Sequence, residues 1–550
     1  MKKTIISLLV ILSTLVACSD LEEVVLDTAL GDDLLYGEGA ADGVMAPVYA
    51  RMYQLFNNQE HYFLLQEVTT DECIVPYRGG TDWYNGGRLI EMYQHTWTAN
   101  HNNARLVWAD LVSGIAKGLI VGQTLGTDHP YAYEALGMVA FYNTVLLDLF
   151  GVAFEKEPDD FNTGKMSRVL RGQEAIDYIL SLLDKAEPHL KTKAQLGEAG
   201  STRFSLSASH ALRARLLLNK AVYLDRYADN FNFTEADMDE VIKYCNLVIN
   251  SGSYALETED YFSIFDVDNH NHPEIIFALD QRLEANGQNR FAWFTLSRNT
   301  IGSLTYRSTG TDGGSCTSDF YHTWDGHHDD PRFYKEIIPQ DGSVTSWPVS
   351  QYALNRGFLQ GQQYGVVLNE SGTDVKKDEN GDLVIEMLYN KARTGEPINY
   401  TIDVDLEVHK GHSNGVRVLK YEFDPESQRN SMGRVDIPLF RFADIYLMRA
   451  EANLRKNLPD LALNDVNTLR QARGASQLPS INLDELFRER GFELYWEQLR
   501  RTDMIRFGKF EDSWTSKTNS DKHRRIFPIP QTVIDATSET PEYIIQNPGY

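Results

Sequence analysis

The chain has 550 residues and a mass of 62.5 kDa, with 42% hydrophobic and 24% charged residues and a mean hydropathy of −0.37. That composition describes a folded, water-soluble body and excludes a disordered chain, a collagen-like repeat and a polytopic membrane protein. Its 78 acidic residues outnumber the 52 basic ones, for a formal charge of −26, and no concentrated basic patch offsets them, so nucleic acid is excluded as a partner.

Met1-Lys2-Lys3 is a basic start, and Thr4 to Val16 is an apolar run broken only by hydroxyl side chains. Such a run is too short to span a bilayer as a mature helix and has the form of an export leader. It ends Leu15-Val16-Ala17-Cys18, a small residue followed by cysteine, as in the lipobox of bacterial lipoproteins. The expectation is a leader over 1–17, an acylated Cys18 as lipid anchor and an acidic linker over 18–35. Acyl chains contribute about 0.8 kcal/mol per buried CH₂, so several on one cysteine hold a large body at a membrane. The alternative is an ordinary leader with an incidental cysteine. Ser19-Asp20-Leu21-Glu22-Glu23 looks like a surface-export signal, or is simply a solvated tether. Cys73, Cys245 and Cys316 remain, an odd number without CxxC spacing, so at most one internal disulfide forms and a zinc ribbon is excluded.

From Tyr36 to about Tyr223 the pattern is mainly helical. Over Tyr131–Phe150, the residues Ala132, Leu136, Val139, Asn143, Leu147 and Phe150 recur at helical spacing and predict one buried face. A second helix is expected from Ser207 to Tyr223, after Ser205, and a third over Glu235–Ile249, stopped by Asn250-Ser251-Gly252. Between about 254 and 423 the texture changes to Asn-Gly pairs, glycine clusters and short β-prone runs, which predicts long loops and small hairpins. Helix returns at Phe440, with Ala443, Leu447, Ala450 and Leu454 on one stripe. Pro459-Asp460 opens the next helix, whose buried face is Ala462, Val466, Leu469 and Ala472, and a third runs from Leu483 to Trp496. Paired helices with alanine at close-approach positions suggest a tetratricopeptide-like array.

The C-terminal third carries a set of short pieces in a fixed order. They are Phe440-Arg441-Phe442-Ala443-Asp444-Ile445-Tyr446-Leu447-Met448-Arg449-Ala450-Glu451-Ala452, then Asn467-Thr468-Leu469-Arg470 and Arg488-Glu489-Arg490-Gly491-Phe492-Glu493-Leu494. Asp503-Met504-Ile505-Arg506-Phe507-Gly508-Lys509, Phe527-Pro528-Ile529-Pro530 and Gln546-Asn547-Pro548-Gly549-Tyr550 follow. With Leu147-Asp148-Leu149-Phe150-Gly151 and Pro273-Glu274-Ile275-Ile276-Phe277 earlier on, this set resembles the SusD/RagB family of outer-membrane nutrient-binding lipoproteins across nearly the whole chain. The resemblance implies a mainly α fold: a tetratricopeptide-like helical scaffold, about 36–250 and 440–510, with an irregular ligand-facing loop and hairpin module, about 254–423, in one domain over 36–550. It also implies a surface protein that binds glycan and delivers it to a SusC-like TonB-dependent outer-membrane transporter, with no cofactor and no metal. Arg441, Arg449, Glu451, Arg490 and Glu493 read as charged hydrogen-bond networks locking helices, without the histidine or nucleophile a catalytic cluster needs.

A sugar ring presents apolar C–H faces and a hydroxyl rim, so its site needs aromatic plates beside polar side chains. The glycine- and aromatic-rich stretch from Thr70 to His101 supplies Trp83 and Trp97 as plates, with Arg78, Asp82 and Asn100 beside them. Trp97, with His95, either meets ligand or packs this stretch on the helical part. In the middle region Trp293, Tyr306 and Trp324 are further candidates, Trp324 standing next to a turn, Asp329-Asp330-Pro331-Arg332, that also reads as structural. His327-His328-Asp329-Asp330 lacks a distant ligand pair and is expected to be a solvated loop, and Asp378-Glu379-Asn380-Gly381-Asp382 has its glycine misplaced for a calcium loop and is expected to be a hairpin turn. No P-loop or G-x-S-x-G occurs. The competing functions are a surface glycoside hydrolase with two carboxylates, and capture of peptides or another nutrient by the same architecture.

Overall fold

The computed structural model describes residues 38–78, 83–160, 163–282, 288–304, 310–391, 394–406, 412–427 and 433–550. The expected leader, Cys18 and the linker lie outside them. Two units are distinguished, Met1–Val44 and Met45–Tyr550. The described part of the first is the opening of helix α1 (Glu38–Asn57); all that follows concerns the second.

Helix α2 (Asn102–Leu125) packs along α3 (Pro130–Phe150), which packs in turn on α4 (Gly172–Ala186). Pro130 occupies the first helical position, where an N–H would have no intrahelical partner, and His129 Nδ1 accepts the Tyr131 N–H at 3.1 Å. Gly151, at φ +72°, ends α3 with its N–H on the Leu147 carbonyl. Between α2 and α3 the backbones approach closely: a Cβ on Gly114 would stand 2.7 Å from the Tyr142 ring, and one on Gly118 2.5 Å from Val139 Cγ2. The one-sided stripe predicted for α3 is therefore an underestimate. Leu136 on that stripe is only half-buried, while Ala135, Met138, Phe141 and Tyr142 off it are fully closed, because neighbours cover α3 on several sides.

Helix α5 (Leu206–Leu218) is capped by Ser205, whose Oγ accepts the Ala208 N–H at 3.2 Å. It does not run unbroken to Tyr223. Asn219 stops it, turning its side-chain amide back onto the Arg215 carbonyl at 2.8 Å, and a short turn, Lys220–Leu224, follows. Helix α6 (Glu235–Ile249) has the predicted bounds, with Thr234 as cap and Gly252 at φ +68° beyond its end. After the irregular module come α7 (Phe442–Arg455), α8 (Pro459–Ala472) and α9 (Leu483–Leu494), the last ending two residues earlier than expected. Their predicted stripes meet: Ala443, Leu447 and Ala450 share one core cluster with Ala462, Val466, Leu469 and Leu486. Because α6 packs on α7, helices far apart in sequence form one tetratricopeptide-like array.

The irregular module starts and ends at a single ladder. Ile275–Leu279 pairs antiparallel with Ile437–Arg441, every residue of both being buried. Between them lie two three-stranded sheets, one of Tyr334–Lys335, Arg356–Leu359 and Arg417–Leu419, the other of Ser346–Trp347, Leu383–Met387 and Tyr364–Val366. The Asp378–Asp382 segment is the expected hairpin turn, closed by the Asp378 N–H on the Asp382 carbonyl at 2.9 Å with Gly381 at φ +85°.

Beneath the ladder is a buried lattice of ion pairs. Glu493 accepts from Arg441 at 2.9 Å and from Arg473 at 2.7 Å, and also pairs with Arg332 at 3.1 Å. Arg473 also reaches Glu274, and Arg441 and Lys420 share Glu497. Burial by itself would raise the Glu493 carboxyl, but Arg473 and Arg441 hold it well below the usual carboxylate range. In the same manner Arg506 and Arg455 overcome burial and bring Glu451 down to about 2. Arg449 forks onto Asp465 at 2.9 and 2.6 Å, and Arg490 bonds Asp503 at 2.7 Å. Apart from Glu451–Arg455, which lies within α7, these pairs tie together segments distant in sequence, which is the locking role expected of these charges.

Candidate binding surface

A short helical turn, Phe291–Thr295, and the loop over 310–313 are zipped together through their backbones. Thr311 N–H meets the Trp293 carbonyl at 2.9 Å, Gly313 N–H the Phe294 carbonyl at 2.8 Å and Asp312 N–H the Leu296 carbonyl at 2.9 Å. The fit requires glycine at 310, where a Cβ would lie 2.0 Å from the Leu296 carbonyl oxygen. The segment over 71–78 runs antiparallel to this loop, and Arg78 fastens them. Its guanidinium donates to the carbonyls of Asp312 (3.0 Å), Asn414 (2.6 Å) and Gly313 (3.3 Å) and to Ser315 Oγ (2.7 Å).

On this seat stands Trp83. Its backbone is left-handed, at φ +53°, a conformation that costs an L-residue about 1 kcal/mol. Two contacts hold it there: Nε1–H donates to the Thr311 carbonyl at 2.9 Å, and the ring packs edge-on to Phe294 at 5.0 Å. Trp293 lies 6.5 Å away at an interplanar angle of 62°, under the Arg290 guanidinium at 4.3 Å. Both indoles are half-buried. Tyr77 and Tyr84 form an adjoining pair with centroids 5.0 Å apart, and Tyr84 is 45% exposed. Asn85, Gly86 and Gly87 follow with three successive positive φ values, turning the chain so that the Asn85 amide donates to Glu60. Burial lowers Arg290, and the Glu60 charge partly opposes that. The Arg290 Nε–H has no hydrogen-bond partner among the described residues. The surface thus combines four aromatic rings with a guanidinium, an amide and a carboxylate, the chemistry that holds a polyhydroxylated ring.

The expected residues divide sharply. Trp83 and Trp293 come together here. Asp82 and Tyr306 lie outside the described residues. Asn100 is exposed in the turn before α2, its N–H on Thr98 Oγ1 at 3.3 Å. Arg78 is not a ligand donor: it is 3% exposed and its hydrogen bonds are spent on the seat. Trp97 is completely buried, 4.7 Å from Phe527, with Nε1–H on the Tyr550 hydroxyl at 2.7 Å, so it fastens the C-terminal tail. Trp324 is also closed, stacked on Phe492 at 3.7 Å and 16°. Tyr77, Tyr84, Arg290, Glu60 and Asn85 were missed, although three of them stand in the aromatic-rich stretch that the sequence singles out. Glu60 and Arg290 had no local signal at all.

Metal-ligand chemistry is scarce here. Among the described residues, His270, Asp280 and Asp436 come close enough to share an ion. Yet His270 already bonds Asp436 and the Glu198 carbonyl, each at 2.7 Å, and Asp280 is forked onto Arg282. His328 is stacked on Phe333 at 4.2 Å and Asp330 is forked onto Arg332, so the His327–Asp330 run is tied to a ring and a guanidinium. A cavity of about 380 Å³ opens elsewhere, lined by Tyr49, Tyr53, Arg203 and Asp280 among others.

Residues 273–550, just over half of the chain, match the model of the SusD family. Over 513 residues the chain is 25% identical to the starch-binding protein SusD of Bacteroides thetaiotaomicron, covering 89% of this chain and 85% of that one. Among solved structures, surface glycan-binding protein A from Bacteroides fluxus superposes with a TM-score of 0.65 at 16% identity, over 94% of this chain and all of that one. The Bacteroides thetaiotaomicron surface glycan-binding protein A in complex with laminarihexaose gives 0.63 at 17% identity, over 93% and 99% of the two chains. Those two likenesses establish the fold.

Proposed function

The chain belongs to the SusD family, and on that footing we propose that it is a surface lipoprotein that captures glycan without cleaving it and passes it to a SusC-like TonB-dependent transporter. The observation that carries the glycan reading is the Trp83–Trp293 pair, with Trp83 held by the seat, beside the Tyr77–Tyr84 pair and flanked by Arg290, Asn85 and Glu60. Starch, glycan and laminarihexaose, the ligands named for the relative and the structural neighbours, support the same ligand class. The lipobox at Cys18 supports an outer-membrane anchor facing the exterior, after a leader over 1–17 and a linker over 18–35. No helix among the described residues is long and apolar enough to cross a membrane, which fits attachment by lipid.

Calorimetry of the purified chain against a panel of glycans and a panel of peptides tests the ligand class. Saturable heat with at least one glycan and an unchanged glycan afterwards by chromatography is the expected result. A flat response to every glycan, or product formation, overturns it. Cys18→Ala is expected to move the protein from the membrane fraction to the soluble fraction.

A further inference from the structure

Ile74 and Ser315 form an isolated antiparallel bridge and exchange both backbone hydrogen bonds, Ile74 N–H to Ser315 O at 2.9 Å and Ser315 N–H to Ile74 O at 2.8 Å. In an antiparallel pair the next residues outward, here Cys73 and Cys316, stand directly opposite each other at a non-hydrogen-bonded position, with both side chains on the same face. Three independent contacts confirm the register. Cys316 N–H points away from its partner, onto the Val416 carbonyl at 2.8 Å. One step further out, Thr317 Oγ1 donates to the Asp71 carbonyl, and on the other flank Arg78 reaches the Asp312 carbonyl. At such positions Cα atoms are about 4.5 Å apart, inside the range a disulfide spans. Here both residues are free thiols, Cys73 fully buried and Cys316 1% exposed, with Cys316 Sγ–H donating to the Thr317 carbonyl at 3.2 Å.

We propose that Cys73 and Cys316 are joined by a disulfide in the exported chain. The inference rests on export, read from the leader, and not on the glycan reading. Two S–H bonds break and one S–S bond forms. The two protons and two electrons pass, through a mixed disulfide, to a disulfide-bearing thiol oxidant of the cell envelope, which leaves as its dithiol. Because both sulfurs are closed off in the fold, oxidation accompanies the pairing of the two segments during folding. Burial, with Glu67 and Glu72 nearby, pushes the Cys73 thiol well up, so exchange after folding is slow. Cys245, closed inside α6, is the odd thiol left over. The bond fastens the two backbones that seat Trp83.

The test uses the full lipidated chain purified from membranes without reductant, denatured in N-ethylmaleimide, digested and read by mass spectrometry. Expected are a Cys73–Cys316 linked peptide and an adduct on Cys245 alone. Adducts on Cys73 and Cys316 in a chain recovered from the membrane overturn the proposal. Neither result depends on whether any glycan binds.

Discussion

Two regions of this molecule use their functional groups in opposite ways. Below the Ile275–Leu279 ladder, Arg332, Arg441, Arg473 and Lys420 face Glu274, Glu493 and Glu497, all buried, and every charge is answered by another from the same chain. On the ring cluster, Trp83, propped by Thr311 and Phe294, is half-buried like Trp293 and Tyr77, and Tyr84 is exposed. A saturated network has nothing left to offer a ligand, and breaking it leaves uncompensated buried charge. An anchored ring that is not covered keeps binding capacity. Exposure therefore separates the charged lattice from the candidate surface here more clearly than residue type does.

The largest effect expected is on the lattice. Glu493→Ala removes a shared carboxylate from three buried guanidinium groups and is expected to cost about 3–5 kcal/mol of stability, read as a drop in the denaturant midpoint. A change below about 1 kcal/mol would show that the pairs are not a unit. The contrast between tryptophans comes next. Trp97→Ala is expected to lose about 3–5 kcal/mol of stability while the folded fraction binds glycan as before. Trp83→Ala is expected to weaken glycan binding by about 1–3 kcal/mol; equal affinities for Trp83→Ala and wild type would remove the ring from the site. Tyr84→Ala, at the exposed rim, is expected to change affinity by about 1 kcal/mol or less.

The smallest effect is a pH dependence. Burial, reinforced by Glu72, holds Glu67 well above the ordinary carboxyl range, and burial brings Glu72 to about 7. A carboxyl raised on folding lends stability that is complete below its unfolded value, near 4.5, and disappears as pH rises through about 7. Glu451, lowered to about 2, acts in the other sense: its contribution is present above 4.5 and is lost as pH falls toward 2. Glu67→Gln keeps the neutral form and is expected to make the decline in melting temperature above pH 4.5 shallower, leaving the part due to Glu72 and the acid limb in place.

Helix existence and caps were legible because they are local. Ser205 and Pro459 announce the helices that follow them, and Asn250-Ser251-Gly252 ends α6, whereas the stop at Asn219 went unread. The stripe on α8 was right because that helix buries one face, Ala462, Val466 and Leu469, against Ala443, Leu447 and Ala450 of α7. The stripe on α3 fell short because a central helix is covered from several directions, and periodicity cannot count neighbours. The candidate site was half legible: the stretch containing Trp83 was found, but Arg78 and Trp97 were misjudged and Glu60 and Arg290 were invisible.

By itself the sequence determined the helical array, the irregular module set between its halves, the charged lattice and the family resemblance, since capping, periodicity and ordered short motifs are written along the chain. Only the tertiary structure decided which indoles stay half-open and which are closed. Trp97 is closed by Phe527 and Tyr550, and Trp324 by Phe492, partners far away in sequence, while Trp83 is propped on Thr311 and Phe294 with its ring left half-open. Exposure is a property of what the fold brings alongside a ring, and no local pattern around a tryptophan records it.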